Sequence, residues 1–268
     1  MPRSRLRSFA AALVAAATTV ACLGGEPAPA PAESSPTPPP AAAEQGAADP
    51  EAAALAARVV ESLGGEQAWS QARFIRFGFA GRRHHEWDRA SGRHRVEAPT
   101  PEGETSVVVH DLDSREGRAW IDGEEVTGER AAELLESAYA AWVNDTYWLL
   151  MPYKLRDPGV TLTHAGSREV DGHAYEVLHL SFAGVGLTPG DRYWAYVDPE
   201  SGRMDYWAFH LESMPADAEA VLWRWDDWQT YGGIRLASRR QQLGGDRILE
   251  LSPIEVSADV PAQAFAAP

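Results

Sequence analysis

In 268 residues the chain has one cysteine, Cys22, and one lysine, Lys154. A single cysteine excludes a disulfide within the chain, so the fold rests on its core. Basic residues are scarce: 24 stand against 39 acidic ones, a formal net charge of −15. Loss of a leader carrying Arg3, Arg5 and Arg7 would leave 21 against 39, or −18. That balance disfavours nucleic acid and anionic headgroups as partners, because phosphate recognition needs basic patches. One lysine against 23 arginines reads as genome base composition rather than mechanism. Catalytic signatures are missing as well. There is no Gly-x-Ser-x-Gly elbow and no His-x-x-x-His pair, and His85-Glu86-Trp87-Asp88-Arg89 lacks the second histidine of a zincin. Gly184-Val185-Gly186-Leu187-Thr188-Pro189 has proline at the sixth position of a dinucleotide loop, with no helix expected after it.

Long apolar runs are also absent. Phe9 to Ala21 is uncharged and mostly apolar but too short for a stable membrane span. It follows three arginines and ends in small residues, the layout of a secretory signal peptide. Thr19-Val20-Ala21-Cys22 resembles the lipobox of bacterial lipoproteins, in which the cysteine is acylated and becomes the mature N-terminus. The alternative is an ordinary signal peptide cut after Ala21, leaving an incidental thiol. Leu23 after the cysteine resembles the outer-membrane sorting rule, implying an anchor in the outer membrane facing the periplasm. Residues 24–50 hold eight prolines among small and polar residues and cannot build a core. They read as a tether reaching ~80 Å if extended and ~30 Å as a coil. The expected organisation is a signal peptide over 1–21, anchor and linker over 22–50, and one domain over 51–268.

Within that domain, Asp49-Pro50-Glu51 reads as N-cap, first helical residue and first-turn acid, with Leu55, Val59 and Leu63 on one face and Gly64-Gly65 as the stop. A short turn should then carry Trp69 into the first strand. Period-two patterning follows: Ile75, Phe77 and Phe79 share a face. Turn signals recur at Ser91-Gly92, Asp122-Gly123, Asp171-Gly172, Ser201-Gly202, Gly232-Gly233 and Gly244-Gly245, which predicts an antiparallel meander. Asp88–Arg93 and Asp198–Arg203 share the pattern Asp-x-x-Ser-Gly-Arg and read as one turn used twice. A helical insertion interrupts the meander. It is expected to run from Glu129 to about Val143, break at Asn144-Asp145 and resume over Thr146–Met151 before Pro152. Several strands carry large apolar groups on both faces, so the sheet should curl around the helices.

At these segments the chain is similar to a family. Asn144–Gly159 and Gly186–Gly202, with Gly232-Gly-Ile-Arg-Leu236, resemble uncharacterised bacterial envelope lipoproteins related to the LolA/LolB fold. The resemblance covers residues 50–268. It implies an α+β, mainly antiparallel fold: a curved half-barrel of about 10–12 strands with an N-terminal helix and a mid-chain helical insertion around an apolar cavity. It also implies a carrier for acyl chains, lipid or lipoprotein segments, without catalysis and without a cofactor.

Tyr139, Trp142, Tyr147 and Trp148 on the insertion are candidates for a lid over that cavity; the plainer reading is packed core. Trp223 and Trp225 would share a strand face, as a platform for sugar rings or as hairpin packing. His84 with Glu86, and His173 with His179, are the strand-borne groups available to a metal or a hydrolase, but no spacing assembles a metal site and none is assigned. Asp226 and Asp227 point to opposite faces and so form no glycosidase pair. The expected function is therefore a lipid-anchored envelope protein binding an apolar ligand. A hydrolase or glycan-active enzyme and a structural envelope partner are the alternatives.

Overall fold

A computed structural model describes residues 49–182 and 187–268. The signal peptide, Cys22, the linker through residue 48, and the Gly184/Gly186 loop lie outside the described residues. Helix α1 spans Pro50–Ser62; Asp49 caps it, its carboxylate accepting from the Ala52 N–H at 2.7 Å. Leu55, Val59 and Leu63 are buried as the spacing requires. Trp69 sits not on a turn but on a second helix, α2 (Gly65–Gln71), which starts straight after Gly64 reverses the chain at φ 114°.

Two antiparallel meanders follow. The first runs β1 (Phe74–Phe79), β2 (Arg83–Asp88), β3 (Arg93–Pro99), β4 (Thr105–Asp111), β5 (Gly117–Ile121) and β6 (Glu124–Val126). Helix α3 (Gly128–Lys154) then leads to β7 (Val160–Val170), β8 (His173–Phe182), β9 (Arg192–Val197), β10 (Met204–His210), β11 (Val221–Tyr231), β12 (Ile234–Gln242) and β13 (Ile248–Glu250). Finally β14 (Ile254–Ser257) pairs with β1, giving the sheet orders β14-β1-β2-β3-β4-β5-β6 and β13-β12-β11-β10-β9-β8-β7. The described residues thus form 14 strands rather than 10–12, the surplus coming from short edge pieces such as β6 and β13.

Residues 250–253 stitch the two sheets together. The Ala80 N–H donates to the Glu250 carbonyl at 2.8 Å, the Gly78 N–H to the Pro253 carbonyl at 2.9 Å, and the Leu251 N–H to the Ser238 carbonyl at 2.8 Å. A side chain at Gly78 would place its Cβ 2.1 Å from the Ser252 carbonyl oxygen, so only glycine permits this approach. The result is an open, curved α+β structure whose far edges, β6 and β7, are joined by α3. Ile75, Phe77 and Phe79 face the helices with Leu149, Leu150, Met151, Trp207 and Trp225 in one core. The convex face of the second sheet carries its own cluster, with Tyr175, Val177, Tyr196 and Tyr206 packed on each other. Those tyrosines, not a further helical layer, explain the apolar groups on both faces.

The repeated turn occurs three times, not two. Gly92 and Gly202 lie at φ 72° and 71°, and Ser91 and Ser201 donate to Asp88 and Asp198 at 2.8 and 2.7 Å. Asp111-Leu-Asp-Ser114-Arg115-Glu116 copies both features, with Ser114 donating to Asp111 at 3.1 Å and Arg115 at φ 60°. Left-handed backbone costs a side chain about 1–2 kcal/mol. Gly92→Ala should cost about that much in a urea melt. Gly202→Ala should cost more, because the Arg58 carbonyl lies 3.1 Å from the added Cβ. Equal and negligible losses would contradict this reading.

Candidate ligand-binding seam

Helix α3 is unbroken from Gly128 to Lys154. The expected interruption at Asn144-Asp145 does not occur, because the polar pair is held by tertiary partners instead of ending the helix. Arg83 donates to Asp145 through Nε at 2.5 Å and Nη2 at 2.7 Å, and the Asn144 amide donates to it at 2.8 Å.

The helix presents two faces. Its first half lays Leu134, Leu135 and Ala138 on Val96, Val108 and Ala119 of the first sheet. Tyr139 and Trp142 belong to this side: Tyr139 lies under the Arg115 guanidinium at 3.9 Å, and Trp142 meets Trp87 edge-on at 5.3 Å. Tyr147 and Trp148 point to the second sheet. Tyr147 packs 5.2 Å from Tyr193 and 5.9 Å from Trp207; Trp148 meets Trp207 at 4.8 Å and Trp223 at 5.1 Å. The four lid candidates therefore fall into two pairs serving different sheets. Trp223 and Trp225 do share a face, but it is the inner one, where they are 3% and 2% exposed. Their rings are closed to a sugar at the surface.

Strand register gathers aromatic side chains at one end of the second sheet. Phe209 opposes both Tyr193 and Val221, and Phe182 packs on Tyr193 at 5.6 Å. Together with Tyr147 and Trp148 these residues are only half-buried, whereas Trp207, Trp223 and Trp225 deeper in are sealed. The exposed Leu187 lies in the loop leading into β9. Along this seam the Nε1–H groups of Trp207, Trp223 and Trp225, the Tyr147 hydroxyl and Arg240 Nε are buried without a partner. Native interiors pair nearly all such groups. Chemically the seam is apolar and aromatic, and its unpartnered polar atoms mostly donate. It suits a hydrocarbon guest bearing oxygen acceptors.

Arg240 explains how α3 holds its course above the seam. Pro152 has no N–H, so it leaves the carbonyl four residues back, on Trp148, without its helical donor. The buried Arg240 supplies one: Nη2 donates to the Trp148 carbonyl at 2.7 Å, while Nη1 reaches the Ala237 and Arg239 carbonyls at 3.1 and 3.0 Å. Its guanidinium stacks 3.4 Å over Trp225. Burial pulls its pKa well below the usual arginine value, with Asp226 opposing.

A buried histidine row was not foreseen from the sequence. His85 Nε2 lies 2.8 Å from Asp145 Oδ2, His85 Nδ1 lies 3.0 Å from His94 Nε2, and His94 Nδ1 lies 2.8 Å from His110 Nε2. The signal was there. His85 alternates onto the face of Trp87, His94 onto that of Val96 and His110 onto that of Val108, all apolar-inward positions. The residues named above as metal or hydrolase candidates lie elsewhere: His84 is exposed, Glu86 binds Arg76 at 2.7 Å, His173 pairs with Asp198 at 2.6 Å and His179 lies tilted against Trp194. Among the described residues no three His, Cys, Asp or Glu side chains converge as a metal site. No described helix is long and apolar enough to cross a membrane.

No family model and no curated protein matches the chain. Among solved structures it is similar to a DUF1329 family protein from Desulfovibrio piger, at 11% identity and TM-score 0.42, covering 80% of this chain and 96% of that one. It is also similar to a LolA superfamily protein from Nitrosomonas europaea, at 13% identity and TM-score 0.37, covering 80% and 97%. A third is an outer membrane lipoprotein-sorting protein domain from Vibrio parahaemolyticus, at 8% identity and TM-score 0.39, covering 79% and 97%.

Proposed function

We propose that this chain is a lipid-anchored envelope protein that holds an apolar ligand, an acyl chain, lipid or lipoprotein segment, between α3 and the concave face of the second sheet. It acts without catalysis. The observation that carries the reading is the half-buried aromatic group of Tyr147, Trp148, Phe182, Tyr193 and Phe209 packed beside buried tryptophans with unpartnered donors. Apolar area removed from water supplies the affinity, at roughly 25 cal/mol per Å². The donors fix an oxygen-bearing end. The membrane link is Cys22. The Asp145–His85 pair does not favour a hydrolase: both ring nitrogens of His85 are taken, by Asp145 and His94, leaving none to activate a nucleophile.

The test is titration with a long-chain fluorescent fatty acid. Trp148→Ala is expected to weaken binding at least tenfold, about 1.4 kcal/mol. It should cost less than the ~3–5 kcal/mol of a fully enclosed tryptophan. Trp142→Ala, on the face toward the first sheet, should lower stability and leave binding unchanged. A wild-type chain that takes up no apolar probe, or a Trp148→Ala variant that binds equally well, contradicts the proposal.

A further inference from the structure

We infer that the Asp145–His85–His94–His110 row is an acid-sensitive latch that fastens α3 to β2–β4 and lets it go when the row takes up protons.

The row has a direction. Asp145 is ionised, since it accepts from two Arg83 nitrogens and the Asn144 amide. It therefore accepts from His85 Nε2–H, which leaves His85 Nδ1 as an acceptor for His94 Nε2–H. His94 Nδ1 in turn accepts from His110 Nε2–H. Three N–H bonds thus run toward the carboxylate, and the chain ends at His110 Nδ1, a buried lone pair without a partner. Asp145, His85 and His94 are 0% exposed and His110 is 4%. Phe77 stacks on His85 at 4.6 Å and seals the row from β1.

That free nitrogen takes one proton without breaking a contact. A new N–H forms at His110 Nδ1. The His110 Nε2 proton passes to His94 Nδ1, and the His94 Nε2 proton passes to His85 Nδ1. The two histidine–histidine bonds reverse, His85 Nε2–H still donates to Asp145, and the charge comes to rest on His85 beside that carboxylate. A second proton has no such place. It would set N–H against N–H between two rings, so the row must open, and α3 separates from the sheet that supplies all three histidines.

The charged groups around the row set where this happens. Burial, chiefly, and then Arg83 and His84 on β2 oppose charge on His85, while Asp145 favours it. On β4, burial holds His110 down to about 4 although Asp111 pulls upward. His94 is held well below the usual range by burial and its two neighbours. In the unfolded chain the same histidines bind protons near the ordinary ~6.5. The latch is therefore fully fastened above about pH 6.5 and loosens as pH falls toward 4.

Hydrogen exchange along α3, on the full chain purified in detergent, reads this out. After correction for the chemical rate, the opening equilibrium of α3 should rise about tenfold per pH unit for each proton taken up between pH 6 and 4. Amides of β8–β10 should rise less. His110→Gln keeps a donor toward His94 but no base, and should lower that slope by one proton. Ring-nitrogen NMR of the wild type is the check if the variant fails to fold: three Nε2–H tautomers at pH 7 support the latch. It is overturned by any member of the row titrating near 6.5, by α3 and β8–β10 responding equally to acid, or by an unchanged slope in His110→Gln.

Discussion

Arg240→Leu is expected to destabilise the domain by about 3 kcal/mol, and to cost about 1–2 kcal/mol less when Pro152→Ala is already present. The first figure combines a buried carbonyl left without a donor, about 1–3 kcal/mol, with the loss of a desolvated cation–π contact over Trp225, about 2 kcal/mol. Relief of the buried charge offsets part of it. The second follows from the helix. Alanine at 152 restores the N–H that proline lacks, so the Trp148 carbonyl regains its own donor and no longer depends on the Arg240 bond seen at 2.7 Å. Urea melts of the four proteins close a double-mutant cycle, and residues in one network show couplings of about 0.5–3 kcal/mol. Strictly additive losses would mean that Arg240 does not replace the helical donor.

Cys22→Ser should move the protein from the membrane fraction to the soluble one and abolish palmitate incorporation. Each buried methylene contributes about 0.8 kcal/mol, so two acyl chains anchor firmly where none would hold at all. None of the described helices is long and apolar enough to cross a membrane. Unchanged fractionation of Cys22→Ser would contradict the anchor.

Local signals in the sequence carried far where one residue type has one job. Asp49 before Pro50, the Ile75/Phe77/Phe79 alternation and the Asp-x-x-Ser-Gly turns each produced the element expected of them. The third turn was hidden because Arg115 occupies the left-handed position, φ 60°, that glycine advertises at Gly92 and Gly202. Asn144-Asp145 misled for the opposite reason. Both residues are weak helix formers, and what keeps the helix going, Arg83 and His85, comes from a strand some sixty positions away. Arg240 sits beside Arg239 and looks like surface charge; its role depends on Pro152 in another element. The aromatic seam was legible as a set of large side chains, but not the division that gives Tyr139 and Trp142 to one sheet and Tyr147 and Trp148 to the other. Such facts belong to register and packing, which no local window contains.

A ligand held between α3 and the second sheet can be located by cross-linking. A fatty acid with a photoreactive group on its chain, cross-linked to the full chain and mapped by mass spectrometry, tests that placement most directly. Adducts are expected on peptides carrying Tyr147 or Trp148, Tyr193, and Phe209, with labelling lost under excess unlabelled fatty acid. Adducts spread over the convex tyrosine cluster, or none that excess ligand removes, would contradict it.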